Sequence, residues 1–224
     1  MPVKQDAAIE ISAFNWVPDF AKGLVRDLRV RWVLEEAGLA YRERLLDATT
    51  ERPADYLREQ PFGQVPIFQE GGIRMFETGA IVLHIAERSE ALLPRDPAAR
   101  ARAQSWVIAA LSSIEPYINN LIDIDLFNPN AEWARLRRPE AEQRVRDRLG
   151  RLSAWLGSRD YLEGRFTAGD LMMTTMLRIL RNTSLVAEYA NLAAYQARCE
   201  ARPAFKAALA AQMAAFGPRE NAAA

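Results

Sequence analysis

The sequence predicts two unlike domains in tandem, an α/β domain followed by an all-α helical bundle. Three observations point to this. Short alternating segments and helical repeats intermix up to about residue 88, and nearly everything afterwards has helical periodicity. Between them stands "SEALLPRDPAAR" (89–100), with prolines at 94 and 97, the composition of a linker. The expected boundaries are therefore 1–88, a linker at 89–100, and 101–224.

In the first domain, "IEISAF" (9–14) alternates apolar and polar residues as a strand does. In "VRDLRVRWVLEEAG", Val30, Val33, Leu34 and Ala37 recur at helical spacing, and Gly38 stands where a left-handed cap belongs. "LAYRERLL" reads as a second strand and "ADYLREQ" as a short helix. "PIFQ" and "IRMF" form a hairpin around Glu70, Gly71 and Gly72, and "TGAIVLHIAER" closes the unit as a helix. The order strand, helix, strand, helix, strand, strand, helix opens with a βαβ unit, the arrangement of thioredoxin-like domains.

Beyond the linker, helical patterns run over about 98–127, 131–157, 168–183, 190–201 and 204–216, which pack naturally as a bundle. "FTAGDLMM" places Asp170 three residues after Thr167, a variant capping box, with Phe166 and Leu171 set for a hydrophobic staple. This is a folding signal. The tail "GPRENAAA" reads as frayed.

Composition narrows the function. Lys plus Arg and Asp plus Glu both number 29, so no basic field points to nucleic acid or an anionic membrane. The N-terminus has no apolar leader and no stretch is long enough to span a membrane. One cysteine, Cys199, forms no intrachain disulfide, which suits a reducing, cytoplasmic setting, and it reads as a small buried hydrophobe. No zinc spacing, P-loop or dinucleotide signature occurs, so no metal is expected. Asp123 and Asp125, two apart, do not share a helical face, and His84, the single histidine, reads as structural.

"QPFGQVPIF" (60–68) puts Pro66 where a strand begins. Proline lacks the N–H of a sheet ladder and is confined to first residues, edges and bulges, so Pro66 is read as the strand's first residue. The Val65–Pro66 bond is of the type that can be cis. A cis bond there turns the chain so that Val65 presents its N–H and C=O to a peptide-like ligand, as a sheet edge does to an added strand. The other reading is a proline that only shapes a loop.

Taken together, a thioredoxin-like domain with "QPFGQVPIF" and "FETGAIVLHIAER", followed by a helical domain with "FTAGDLMM", resembles the cytosolic glutathione transferase superfamily and suggests a bacterial-type member. The resemblance spans nearly the whole chain. It implies that Pro66 is the cis-proline, with Val65 pairing its backbone to the cysteinyl part of glutathione, a co-substrate. It implies that Glu77 and Thr78 take the γ-glutamyl end. The local physics agrees: a helix N-terminus favours a carboxylate, and the Glu77 anion suits an ammonium. Gln64 and Arg52 are candidates for the glycyl end. The superfamily more often has serine where this chain has Thr78.

One departure matters. Glutathione must react as its thiolate, and lowering a thiol pKa from about 8.5 by about two units requires roughly 2.7 kcal/mol of preferential anion stabilisation. Members of the superfamily typically supply it from a tyrosine, serine or cysteine near the first strand or helix. Aligned on "LEEAGL", this chain has Leu24, Val25, Arg26 and Asp27 at the serine or cysteine position, and Phe14 and Asn15 at the tyrosine position. Asn15 and Arg26 are the replacement candidates, as an amide and a guanidinium donor. Trp16 can also donate, and the first helix adds its dipole. Ser12 points away if Ile9, Ile11 and Ala13 face one side, and is set aside.

The long segment from Asn15 to Gly23 carries Trp16, Val17, Pro18 and Phe20, an apolar load for a lid over an apolar co-substrate or for packing. The resemblance places that pocket between the domains, with Tyr117 and Asn120 as helical contacts beside Trp16 and Phe20. The expected function is a detoxifying transferase that joins glutathione to an apolar electrophile, in a homodimer. The alternatives are a glutathione-dependent isomerase, reductase or peroxidase in the same site, or a non-catalytic binding module.

Overall fold

Ile9, Ile11 and Ala13 are buried along β1 (Ile9–Phe14), which lies inside a four-stranded sheet of order β2-β1-β3-β4. The structure is a computed structural model that describes residues 3–217. β1 runs parallel to β2 (Tyr41–Leu46), in register Ile9 to Tyr41. It runs antiparallel to β3 (Phe68–Glu70), which turns through Gly71 and Gly72 into β4 (Ile73–Met75). Gly71 adopts φ 55°, the left-handed region that glycine enters without a Cβ clash.

Helix α1 (Asp27–Ala37) crosses from β1 to β2 and ends as its sequence predicts. Gly38 takes φ 68°, and the Leu39 N–H returns to the Leu34 carbonyl at 2.9 Å. Helix α2 (Ala54–Glu59) and helix α3 (Thr78–Ala86) complete the predicted order.

Every residue of α1 from Asp27 to Leu34 is buried, including Arg29 and Arg31. Arg31 is tolerated because Asp27, one turn before it, accepts from its Nε at 2.7 Å and Glu43 accepts from Nη1. Burial pushes the Asp27 carboxyl up, opposed by Arg31 and by Gln212.

Gln212 belongs to the last helix, α9 (Pro203–Ala215). The chain divides into two units: residues up to Ser89 together with those from Arg202 onward, and Glu90–Ala201. The pattern at 204–216, placed with the helical domain by sequence, thus groups with the first unit. Its ties are local to α1: Phe205 meets the edge of Trp32 at 4.8 Å between ring centres, Arg202 makes a two-pronged pair with Glu36 at 2.6 and 2.7 Å, and Gln212 Nε2 donates to Asp27 at 2.7 Å.

The second unit is helical throughout. Helix α4 (Pro97–Ala109) begins inside the stretch read as linker, with Asp96 capping the Ala99 N–H at 2.8 Å and proline in the first turn. Two π-helical segments, Ala110–Ile114 and Asp123–Phe127, bracket α5 (Glu115–Ile122). Then come α6 (Glu132–Leu156), α7 (Ala168–Ile179) and α8 (Ala190–Glu200).

Helix α7 is buried from Ala168 to Leu177 and forms the centre of the unit. Its start carries the predicted capping box: Asp170 accepts from the Thr167 N–H and also from the Leu162 N–H, each at 2.9 Å. Phe166 and Leu171 are both buried. Gly169 is required by space, since a Cβ there falls 2.5 Å from that of Trp106.

Candidate functional site

The chain arrives at the site through a loop clasped from below. Arg52 donates to the carbonyls of Gly63 at 3.1 Å, Asp47 at 2.6 Å and Thr50 at 3.0 Å, while its guanidinium lies over Phe14 at 4.9 Å. Gly63 adopts φ 65°. The Val65–Pro66 peptide bond is cis. Strand β3 starts only at Phe68, so Pro66 precedes the strand, contrary to the expectation that it is the strand's first residue. The reason is local: Ile67 is bonded to Ser12 twice, its carbonyl accepting from the Ser12 N–H at 3.0 Å and its N–H donating to Ser12 Oγ at 2.7 Å. The side chain stands in for a ladder partner.

Val65 is buried, with Tyr56 and Ile67, in a small apolar cluster against Phe14, Val25 and Leu46. Among the described residues, neither its N–H nor its C=O has a hydrogen-bond partner. Buried backbone polar groups are nearly always paired, so an open pair beside a cis-proline is a place for an added strand.

The first turn of α3 supplies a second set of open groups. Glu77, its N-cap, is exposed at φ 68°, a conformation uncommon outside glycine and worth attention where function is sought. Thr78 is buried, and the N–H groups of Thr78, Gly79 and Ala80 have no main-chain acceptor among the described residues. Such N–H groups and the helix dipole favour an anion, and the Glu77 carboxylate beside them favours a cation.

The start of α1 joins the two sets. Arg26 Nη1 donates to Gln64 Oε1 at 3.2 Å, and Arg29 Nη1, one turn later and buried, donates to Thr78 Oγ1 at 3.2 Å. Phe62 and Phe76, just ahead of the two sets, meet edge to face with ring centres 6.2 Å apart. The Asn15 side chain is exposed; its backbone is fixed by bonds to Leu46 and Gly217 at 3.0 and 2.9 Å. One helix end therefore touches the loop before Val65 and the first residue of α3, and it brings a permanent cation to the Gln64 side.

Residues 21–87 match the family model described as "Glutathione S-transferase, N-terminal domain". The theta class glutathione S-transferase of Xanthomonas axonopodis pv. citri, solved with glutathione bound, superposes with a TM-score of 0.77 at 27% identity, over 91% of this chain and 97% of that one. Residues 21–87 thus carry a glutathione S-transferase N-terminal domain, and the chain as a whole is similar to cytosolic glutathione transferases.

Among curated relatives, glutathione S-transferase F14 of Arabidopsis thaliana is 29% identical over 158 residues, 65% of this chain and 62% of that protein. Human elongation factor 1-gamma is 29% identical over 168 residues, 71% of this chain but 37% of the factor. The chain thus matches less than two thirds of the length of these curated relatives. Plant and bacterial glutathione transferases match alike, so the similarity is not specific to the bacterial type.

Of the residues expected at the site, Gln64, Val65, Pro66, Glu77, Thr78, Arg26 and Arg52 lie along these connected elements. Trp16 is half-buried and Phe20 is exposed, in the segment that carries a short helical turn at Asp19–Ala21. Tyr117 differs from expectation. Its hydroxyl accepts from Arg148, whose guanidinium stacks on the ring at 4.2 Å. Together they line a cavity of about 210 Å³ with Arg144, Asp147 and Arg151, a charged surround rather than an apolar wall. Asn120 is half-buried on the same helix, α5.

Three participants escaped the sequence reading. Arg29 has no motif of its own in the sequence, and its role follows only from its position inside an unbroken buried stretch. Ser12 was set aside by alternation, yet both its neighbours and the residue itself are buried. Tyr56 carried no signal beyond an aromatic in a short helix. No cluster able to hold a metal occurs among the described residues, nor is any helix there long and apolar enough to cross a membrane.

Proposed function

We propose that the chain is a glutathione transferase that binds glutathione in its first unit, stabilises the thiolate, and adds it to an apolar electrophile. The observation that carries this reading is the unpartnered N–H and C=O of Val65, set beside Pro66 and linked through α1 to Thr78. Val65 pairs with the cysteinyl backbone. The first turn of α3 takes the γ-glutamyl carboxylate, and Glu77 takes its ammonium. Gln64 and Arg52 serve the glycyl end. The match of residues 21–87 to the glutathione S-transferase N-terminal domain and the similarity to a structure solved with glutathione bound support the same ligand.

Arg26 then carries the chemistry. Held by Gln64, its guanidinium is a cationic donor at the edge of the cysteinyl position, and a fixed donor aimed at a forming anion stabilises it more than water does. Asn15, exposed beside the end of β1, is the second donor. Within the first unit the electrophile meets Trp16 and Phe20, whereas Tyr117, in the second unit, is surrounded by charge.

A homodimer in a reducing cytoplasm completes the reading. Phe62, 68% exposed and edge-on to Phe76, offers an apolar surface for a second copy to cover, and the thiol of Cys199 is buried. Sedimentation at micromolar concentration tests this, and a clean monomer contradicts it.

A second reading, a non-catalytic module of the same fold, rests on one observation. The one hydroxyl near the end of β1, that of Ser12, is already engaged by Ile67 and Tyr56 and offers nothing to a thiol. The two readings part on turnover. With glutathione and an activated aryl halide, the transferase forms the thioether faster than the uncatalysed reaction, whereas the module binds glutathione without accelerating it.

A further inference from the structure

Gln64 and Ile67 flank the Val65–Pro66 pair, and a single run of hydrogen bonds joins them through two buried side chains. The Ile67 N–H donates to Ser12 Oγ at 2.7 Å, Ser12 Oγ lies 2.8 Å from Tyr56 Oη, and Tyr56 Oη donates to the Gln64 carbonyl at 2.6 Å. The direction of the middle bond follows from counting protons. A carbonyl only accepts, so the one phenolic proton goes to Gln64, and the Ser12 hydroxyl proton must go to Tyr56. Each hydroxyl thus accepts one bond and donates one.

Both side chains are well placed for this. Ser12 is 2% exposed and Tyr56 is fully buried, so no water competes for their bonds. Burial also pushes the Tyr56 hydroxyl up, which keeps the donated proton in place. β1 fixes Ser12 from the sheet, and α2 fixes Tyr56 from the opposite side of the loop.

We propose that Ser12 and Tyr56 are positioning residues for the peptide-binding backbone of Val65. Their relay ties the carbonyl before Val65 to the amide after Pro66, so the open N–H and C=O between them are held in one orientation before a ligand arrives. A peptide ligand that pairs as an added strand needs both groups fixed at once, and fixing them beforehand removes an ordering cost from binding. Neither hydroxyl touches the ligand. This proposal rests on the reading of Val65 as the glutathione contact.

The test is the calorimetric dissociation constant for glutathione in the wild type, Tyr56→Phe, Ser12→Ala and the double variant, measured well below each unfolding midpoint. Because the two hydroxyls form one relay, each single variant and the double should weaken binding by a similar factor of about ten, without adding. Tyr195→Phe, which removes a buried hydroxyl from the second unit, controls for loss of stability and should leave the constant unchanged. Wild-type affinity in the folded variants, with the wild type binding glutathione, overturns the relay alone. No binding by the wild type overturns the transferase reading and the relay with it. If Tyr56→Phe does not fold, Ser12→Ala decides the matter in the same way.

Discussion

Arg29 Nη1 donates to Thr78 Oγ1 across 3.2 Å, with both residues buried, so the start of α1 grips the first residue of α3. Arg26, one turn earlier, holds Gln64 in the loop ahead of Val65. The two open sets of backbone groups are therefore set by one rigid helix end rather than by separate loops.

Thr78→Val keeps the shape of the side chain and removes the acceptor. The buried guanidinium then loses one partner, which costs about 1–3 kcal/mol. Urea unfolding should show that loss, and glutathione affinity should fall about tenfold or more as the first turn of α3 shifts. Thr78→Ser should restore both.

Asp170→Ala removes the acceptor for the N–H groups of Thr167 and Leu162 and for the Tyr195 hydroxyl, all buried. Leaving several such donors unpaired costs about 3 kcal/mol or more. Tm should drop by roughly 6–12 °C for a chain of this size. The second unit holds this network, so glutathione affinity in the folded variant should stay near that of the wild type.

Gln212→Leu strips a neutral donor from the buried Asp27 carboxylate and should cost about 2 kcal/mol. A chain cut after Ala201 goes further, exposing Trp32 and removing the arginine that pairs with Glu36. Limited proteolysis should cut the first unit of the shortened chain at α1 well before the second unit is attacked.

Glu70, at the end of β3, pairs with Arg88 just past α3. The Arg88 hydrogen bond holds the Glu70 carboxyl below its ordinary value of 4.5. A carboxyl lowered in the folded state adds stability above its unfolded pKa, and that stability is lost as pH falls through the folded value. Tm should therefore fall as the solution is acidified below about pH 4.5, and Glu70→Gln should flatten that part of the profile.

The strand and helix order was legible because each element carries its own punctuation: Gly38 ends α1, Gly71 and Gly72 turn the hairpin, and Thr167 with Asp170 opens α7. The site was partly legible for the same reason, since proline, an N-cap and a helix start are local signals. Arg29 and Ser12 were not, because hydrogen bonds to Thr78 and Ile67 join positions 49 and 55 residues apart, which no periodicity encodes. The placement of α9 was also hidden. Its pattern states that it is a helix, while its home is decided by Phe205, Arg202 and Gln212 finding α1.

The most direct measurement is an ultraviolet difference titration of bound glutathione across pH, in the wild type, Asn15→Ala and Arg26→Ala. The transferase reading expects the bound thiol to ionise about two units below its free value of about 8.5, with the shift abolished in Arg26→Ala and reduced in Asn15→Ala. An unshifted thiol in the wild type contradicts it and leaves the fold as a binding module.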